Sequence, residues 1–257
     1  MLTFAVGACT DDFGVDPEPE CDALEFRGGG SATETRDPGG DPDGGLWLGN
    51  GLENPTVDGV NPEHGLNTPE GMAERGDLLG DTHHHALMEY LVECALPAGH
   101  SISKSVGDDT VVFEGLVGMA PEWEDDACDE DCQEWVSACL LARTNITGQE
   151  VFIGLRADHE TVGTQPSPLF PVYEASWYGN LFAPNPVAYF CEGSEGGQVM
   201  AQLHGRTCST GNNGDCGFTS MGSCLTPGRC GVSQGTHVAC SAAGKTYHTL
   251  STYVDVP

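Results

Sequence analysis

Residues 81–99 read DTHHHALMEYLVECALPAG, and residues 129–143 read DEDCQEWVSACLLAR. In both segments apolar residues recur at intervals of three and four positions, which predicts amphipathic helices. Asp81 is a favoured residue at a helix start, and the acids from Asp129 onward suit the positive end of the second helix dipole. Pro97 predicts the end of the first helix. The stretch therefore predicts two helices that each bury one face.

Residues 110–116 predict a strand, and so do residues 149–156, where Val151, Ile153 and Leu155 alternate onto one side. Cys94 borders the apolar face of the first helix, and Cys139 lies centrally on that of the second. We predict a Cys94–Cys139 disulfide, with two buried free thiols as the alternative. The expected fold is α+β, with two helices packed on a small, mostly antiparallel sheet and a disulfide-rich C-terminal part.

Composition limits the compartment and the partners of the chain. Its 257 residues include 9 Lys and Arg against 39 Asp and Glu, a formal charge of −30, which disfavours nucleic acid and anionic membrane surfaces. Twelve cysteines without a zinc-type spacing indicate an oxidising compartment. We expect bridges among Cys94, Cys128, Cys132, Cys139, Cys191, Cys208, Cys216, Cys224, Cys230 and Cys240. No apolar window is long enough to predict a transmembrane helix.

The N-terminal residues resemble a lipidation signal. Val6-Gly-Ala-Cys9 is similar to the lipobox of bacterial lipoproteins, in which the cysteine carries the lipid. No Lys or Arg precedes Cys9, as would occur if the start were assigned too late. The alternatives are an apolar N-terminus without a role and a Cys9–Cys21 disulfide. We predict a signal remnant in residues 1–9, an acidic flexible spacer in residues 10–69 and a disulfide-stapled globular domain in residues 70–257, of which residues 191–257 are dense in cysteine.

Three segments carry a family resemblance: YLVECALP at residues 90–97, WVSACLLAR at residues 135–143 and WYGNLF at residues 177–182. Together they resemble a family of uncharacterised predicted lipoproteins of myxobacteria and their relatives, over roughly residues 85–240. The resemblance implies export and disulfide bonds. It implies no reaction.

One motif suggests a hydrolase. Residues 231–235 read GVSQG, which matches the G-x-S-x-G nucleophile elbow around Ser233. An elbow requires a strand before the serine and a helix after it. His237 follows closely, but the order of His237, His248 and Asp255 is not that of an α/β-hydrolase. A glycine-rich loop is the favoured interpretation, with a catalytic Ser233 and His237 as the alternative.

Two patterns suggest metal binding. His85 and Glu89 are four residues apart on one helix face, and with His83 they could hold a transition metal if a further ligand came from elsewhere. Asp37, Asp41 and Asp43 resemble a calcium loop without the spacing of an EF-hand. A solvated helical turn and a solvated linker are the favoured interpretations. We therefore predict no cofactor, with calcium or a transition metal as the alternative.

The aromatic segment at Trp177, Tyr178 and Asn180 could form a sugar-stacking platform or part of the core, and we favour the core. A glycosidase pair of carboxylates would come from Glu114, Glu122, Glu150, Glu160 and Glu174, which do not single out a pair. The overall expectation is an exported, lipid-anchored cell-surface protein that binds an extracellular partner or polymer. The alternatives are a secreted ester or glycoside hydrolase and a metal-binding lipoprotein that uses residues 83–85.

Overall fold

The computed structural model describes residues 39–40, 46–145, 150–195, 198–199 and 217–255. Cys9, Cys21, Cys208, Cys216, Asp37, Asp41 and Asp43 lie outside these residues, and so do the predictions made for them. The helices are α1 (Asp77–Gly80), α2 (Thr82–Ala95) and α3 (Glu130–Arg143), with a 3-10 turn at Pro121–Glu124. The strands are β1 (Gly39–Gly40), β2 (Leu46–Asn50), β3 (Ser101–Val106), β4 (Asp109–Glu114), β5 (Val151–Arg156), β6 (Val172–Asn180), β7 (Val187–Glu192), β8 (Ser194–Glu195), β9 (Gln198–Val199), β10 (Thr219–Ser223), β11 (Cys230–Ser233), β12 (Thr236–Ala242), β13 (Lys245–Tyr247) and β14 (Thr249–Val254).

The main sheet has seven strands in the order β1-β2-β5-β14-β6-β7-β10. Its neighbours are antiparallel except for β7 and β10, which run parallel. Strand β14, the last strand described, lies between β5 and β6. A second sheet has the order β11-β12-β13, and β3 pairs with β4 as a hairpin. The α+β class is confirmed, with more strand than helix and a larger main sheet than the sequence predicted.

The two faces of the main sheet carry different layers. Trp177 of β6 belongs to the large core that also contains Val136 and Leu140 of α3. Tyr178, the next residue, belongs to a smaller cluster with Cys240 and Tyr247 of the second sheet. Since neighbouring residues of a strand point to opposite faces, the helices cover one face and the second sheet covers part of the other.

Both long helices begin where the sequence predicted. The Asp81 carboxylate accepts hydrogen bonds from the backbone N–H of His83 at 2.9 Å and of His84 at 3.2 Å. These bonds hold the pKa of the Asp81 carboxyl below its usual value. The Asp129 carboxylate accepts the N–H of Cys132 at 3.0 Å. Each cap satisfies a backbone donor that has no partner within the helix.

Four disulfide bonds lie in the described part of the chain. Cys94–Cys139 joins α2 to α3 with a Cα–Cα distance of 5.9 Å, which confirms the predicted bridge. The remaining bridges of the described residues are Cys128–Cys132, which joins the first turn of α3 to the residues before it, Cys191–Cys224 between β7 and the residue after β10, and Cys230–Cys240 across β11 and β12. The last two touch, since the Sγ atoms of Cys191 and Cys230 are 3.6 Å apart.

The folded part begins earlier than the sequence indicated. Within the predicted spacer of residues 10–69, Leu48, Leu52 and Leu66 are each at most 4% exposed and belong to the large core. Leu48 of β2 is opposite Ile153 of β5 in the sheet. Residues 46–69 therefore belong to the folded domain and not to the predicted spacer, because these isolated apolar residues pack against partners far along the chain.

A buried ion pair joins the two long helices to strand β2. Arg143 of α3, whose side chain is 0% exposed, pairs with the Glu93 carboxylate of α2, whose side chain is 8% exposed. The Arg143 Nε donates to the Gly49 carbonyl at 3.1 Å, and the guanidinium lies 4.1 Å from the centre of the Tyr90 ring. The pattern of α3 alone does not indicate these partners, because Glu93 and Gly49 lie on other elements.

Candidate functional site

The G-x-S-x-G motif forms a β-hairpin. Ser233 ends β11, and residues Gln234 and Gly235, both with positive φ (48° and 83°), make a two-residue turn into β12. Ser233 is opposite Thr236, and Val232 is opposite His237. Opposite residues share a face and adjacent residues do not, so Ser233 and His237 point to opposite sides of the hairpin. The strand-turn-helix of a nucleophile elbow is not formed, and the structure does not bring this pair together.

His237 packs into the interface between the two sheets. Its ring stacks on Tyr173 with centroids 4.8 Å apart and planes within 7°. Its Nδ1 is buried and has no hydrogen-bond partner among the described residues. Burial lowers the pKa of the His237 imidazole below its ordinary value. The position suits a neutral aromatic ring that stacks on Tyr173.

This burial predicts a pH dependence of stability. The folded state favours neutral His237, whereas the unfolded chain takes up a proton near the ordinary pKa of about 6.5. Stability should therefore be complete above about pH 6.5 and fall as the pH drops below it, since protonation then favours the unfolded state. In His237→Phe, which keeps the stacked ring, we expect a smaller fall in Tm between about pH 8 and pH 5.5. His159, whose pKa burial also lowers, should account for part of the remaining fall. An unchanged Tm profile in the variant would contradict this role for His237.

In the described part of the chain, the metal candidates of α2 are not brought together with further ligands. The Nδ1 of His85 lies 2.7 Å from the Leu78 carbonyl, and its ring packs near Phe113. Among the described residues, His83, His85 and Glu89 do not form a group whose ligand atoms lie within 4.8 Å of one another. Three sulfur atoms do meet this distance, those of Cys191, Cys230 and Cys240, but each is in a disulfide bond.

The aromatic segment at the end of β6 is part of the core. Trp177 and Tyr178 are fully buried, and the Trp177 indole N–H donates to Thr252 Oγ1 at 2.9 Å. Asn180 is 5% exposed, and its Nδ2 donates to Gln133 Oε1 at 3.1 Å. A sugar-stacking platform would need accessible ring faces, and these two rings have none.

Asn180 nevertheless positions the wall of a groove. Its Oδ1 accepts the backbone N–H of Phe182 at 2.9 Å and of Ala183 at 3.0 Å, which fixes a turn after β6. The Leu181 N–H donates to Ser137 Oγ at 2.9 Å. The Phe182 ring packs edge-on against Trp123 with centroids 5.2 Å apart. The segment that follows Trp177 thus becomes a rigid, partly apolar wall.

The groove has a volume of about 880 Å³, whereas two other surface hollows measure about 280 and 190 Å³. Its lining comes from the loop of residues 53–62, from residues 181–188 and from Gly217. The volume lies within the range of about 300–1,000 Å³ that is usual for ligand sites. On the loop of residues 53–62, the Asn54 Oδ1 accepts from the N–H and the hydroxyl of Thr56 at 3.0 and 2.7 Å. Local hydrogen bonds therefore shape both walls.

The groove is acidic at its rim and apolar along its walls. Glu53 and Asp58 are exposed lining residues, and Val57 and Phe182 are half-buried ones. None of the described lining residues is a lysine, an arginine or a histidine. Such a surface favours a ligand that carries both positive charge and apolar groups.

Sequence reasoning missed this groove because its loop of residues 53–62 was assigned to the spacer. The available signal was the pair of isolated valines, Val57 and Val60, among turn residues. An isolated apolar residue in a loop rarely predicts the wall of a groove, since the residues that pack against it are distant in the sequence.

No family model, no curated protein and no solved structure matched the chain. Its function is therefore inferred from the geometry of the molecule itself. Across the described residues, no helix combines the length and the apolar character needed to cross a membrane.

Proposed function

We propose that the protein is exported, is held at the cell envelope by a lipid on Cys9, and binds an extracellular partner in the groove. The observation that carries the binding role is the groove itself, whose walls are shaped before any ligand arrives. Export is supported by the four disulfide bonds of the described residues, since such bonds persist in oxidising compartments.

The two rival functions have less support. A serine hydrolase would need a base beside Ser233, and His237 is on the other face of its hairpin. Of the acids considered for glycoside chemistry, Glu174 is buried, and its Oε2 accepts from Thr252 Oγ1 at 2.8 Å. A metal-binding role through His83, His85 and Glu89 lacks a completed ligand group in the described structure.

Fractionation of the cell that produces the protein tests the proposal. We expect the wild-type protein in the membrane fraction, with its domain digested when protease is added to intact cells. Cys9→Ser should remove fatty-acid labelling and move the protein from the membrane fraction to the soluble exported fraction. A protein found in the cytoplasm with freely reactive thiols would overturn the proposal, and so would membrane attachment that is unchanged in Cys9→Ser.

A further inference from the structure

The groove points to a class of ligand, and this inference rests on the proposed function. We propose that it binds an extended cationic peptide segment, with a Lys or Arg side chain at the carboxylates of Glu53 and Asp58 and a neighbouring apolar side chain against Val57 and Phe182. The partner would then be a basic peptide or an exposed basic segment of a protein outside the cell.

Charge is the first argument. The carboxylates of Glu53 and Asp58 are exposed on one loop, and no described lining residue carries a compensating cation. The Arg75 side chain lies beside Gly59 of the same loop, but neither residue lines the groove. The chain has a formal charge of −30, so it repels anions over the whole approach and attracts cations. A basic ligand is therefore attracted by the net negative charge of the whole protein as well as by the carboxylates of Glu53 and Asp58.

The backbone of the lining gives a second argument. Pro55, Pro62 and Pro186 are lining residues, and proline has no backbone N–H. Pro55 and Pro186 offer carbonyl acceptors without matching donors, which suits ammonium, guanidinium and peptide N–H groups. The Pro62 carbonyl already accepts the N–H of Cys128 at 2.8 Å. Proline also restricts the loops before binding, so less conformational entropy is lost when a ligand is held.

The apolar walls favour a peptide over a simple polyamine. Val57, Leu181, Phe182 and Val187 give the groove side-chain contacts that a chain of methylenes and amines fills poorly. A peptide can place a charged side chain at the rim and a branched side chain on the wall. The basic charges of the peptide speed its association with the acidic protein, and burial of its apolar side chain provides specificity.

The chain's own N-terminal region is a poor candidate for this ligand. Residues 10–38 contain nine acids and two bases, so their charge has the same sign as the rim of the groove. A second molecule with the opposite charge fits the site better.

The test uses an acetylated, fluorescent peptide in which lysine or arginine alternates with leucine. Two comparison peptides replace its bases with glutamate or its leucines with serine. Anisotropy titrations of the disulfide-intact protein should show binding of the first peptide, weakened at least tenfold by either change and weakened by a rise from about 25 to about 300 mM salt.

Matched variants separate the groove from the general field of the protein. Glu53→Gln with Asp58→Asn should reduce affinity for the basic peptide at least tenfold, and each single change should give an intermediate loss. Asp108→Asn with Asp109→Asn removes the same formal charge from the exposed β3–β4 turn and should change affinity less than twofold. Equal losses in both double variants would overturn the proposal, because binding would then follow net charge alone.

Three further outcomes would also overturn it. One is no binding of the basic peptide, the second is equal binding of the serine peptide, and the third is displacement by spermine at concentrations similar to those of the peptide. The test is independent of the fractionation experiment. Peptide binding by a protein found in the cytoplasm would preserve the site and reject export, whereas a surface protein that ignores the peptide would reject only this inference.

Discussion

Replacing Cys94 and Cys139 together with alanine is expected to lower the free energy of unfolding by about 4 kcal/mol. The bridge joins residues separated by 45 positions, so its removal lets the unfolded chain explore many more conformations. Both cysteines are fully buried between α2 and α3, and alanine avoids placing a hydroxyl group there. Urea denaturation monitored by tryptophan fluorescence measures the change.

The Cys128–Cys132 bridge provides the matched control. It spans only 4 positions, and the same entropy relation predicts a loss of about 2 kcal/mol when both residues become alanine. The long bridge should therefore cost about twice as much to remove as the short one. Equal losses of stability in the two double variants would contradict the view that a disulfide stabilises this protein mainly by constraining its unfolded chain.

Arg143→Met is expected to destabilise the protein by about 3–5 kcal/mol, because it leaves the buried Glu93 carboxylate without its cation. The variant also loses the hydrogen bond to the Gly49 carbonyl and the contact with Tyr90. Denaturation of Arg143→Met, Glu93→Leu and the double variant forms a thermodynamic cycle. The double variant should lose less stability than the sum of the single variants, since neither charge remains buried alone.

Lys245→Met is the comparison for this cycle. Lys245 pairs with Glu130, whose side chain is 72% exposed, and with Glu134, whose side chain is 4% exposed. Lys245 itself is 39% exposed, so water and salt screen its charge, and Glu134 keeps the hydrogen bond from the His248 N–H in the variant. We therefore expect a loss of about 1 kcal/mol or less. A loss in Lys245→Met as large as that in Arg143→Met would show that burial is not what makes the Arg143 pair important.

Local patterns predicted the parts of this fold that local forces determine. The caps at Asp81 and Asp129 follow from residue type, since a short carboxylate can accept backbone N–H groups two or three positions later. The Cys94–Cys139 bridge follows from helical spacing, because each cysteine adjoins an apolar face. The burial of Trp177 follows from its size and its apolar neighbours.

The remaining parts of the fold depend on contacts between residues distant in the sequence, and local sequence patterns carry little information about such contacts. Leu48 becomes a core residue only because β2 pairs with β5, about a hundred residues later. The groove combines the loop around Val57 with a wall set by Phe182, and neither segment alone predicts the other. The match at Ser233 was the weaker interpretation from the start, because five residues specify a motif without specifying whether a helix or a strand follows it.

The central place of β14 in the main sheet has a consequence for biosynthesis. Strands β5 and β6 leave the ribosome about seventy or more residues before Thr249, yet β14 is the strand that joins them. Until it emerges, each has an unpaired edge and an apolar face that translocation machinery or chaperones must protect. A polypeptide truncated before Thr249 would contain two incomplete half-sheets and would be a substrate for degradation and aggregation.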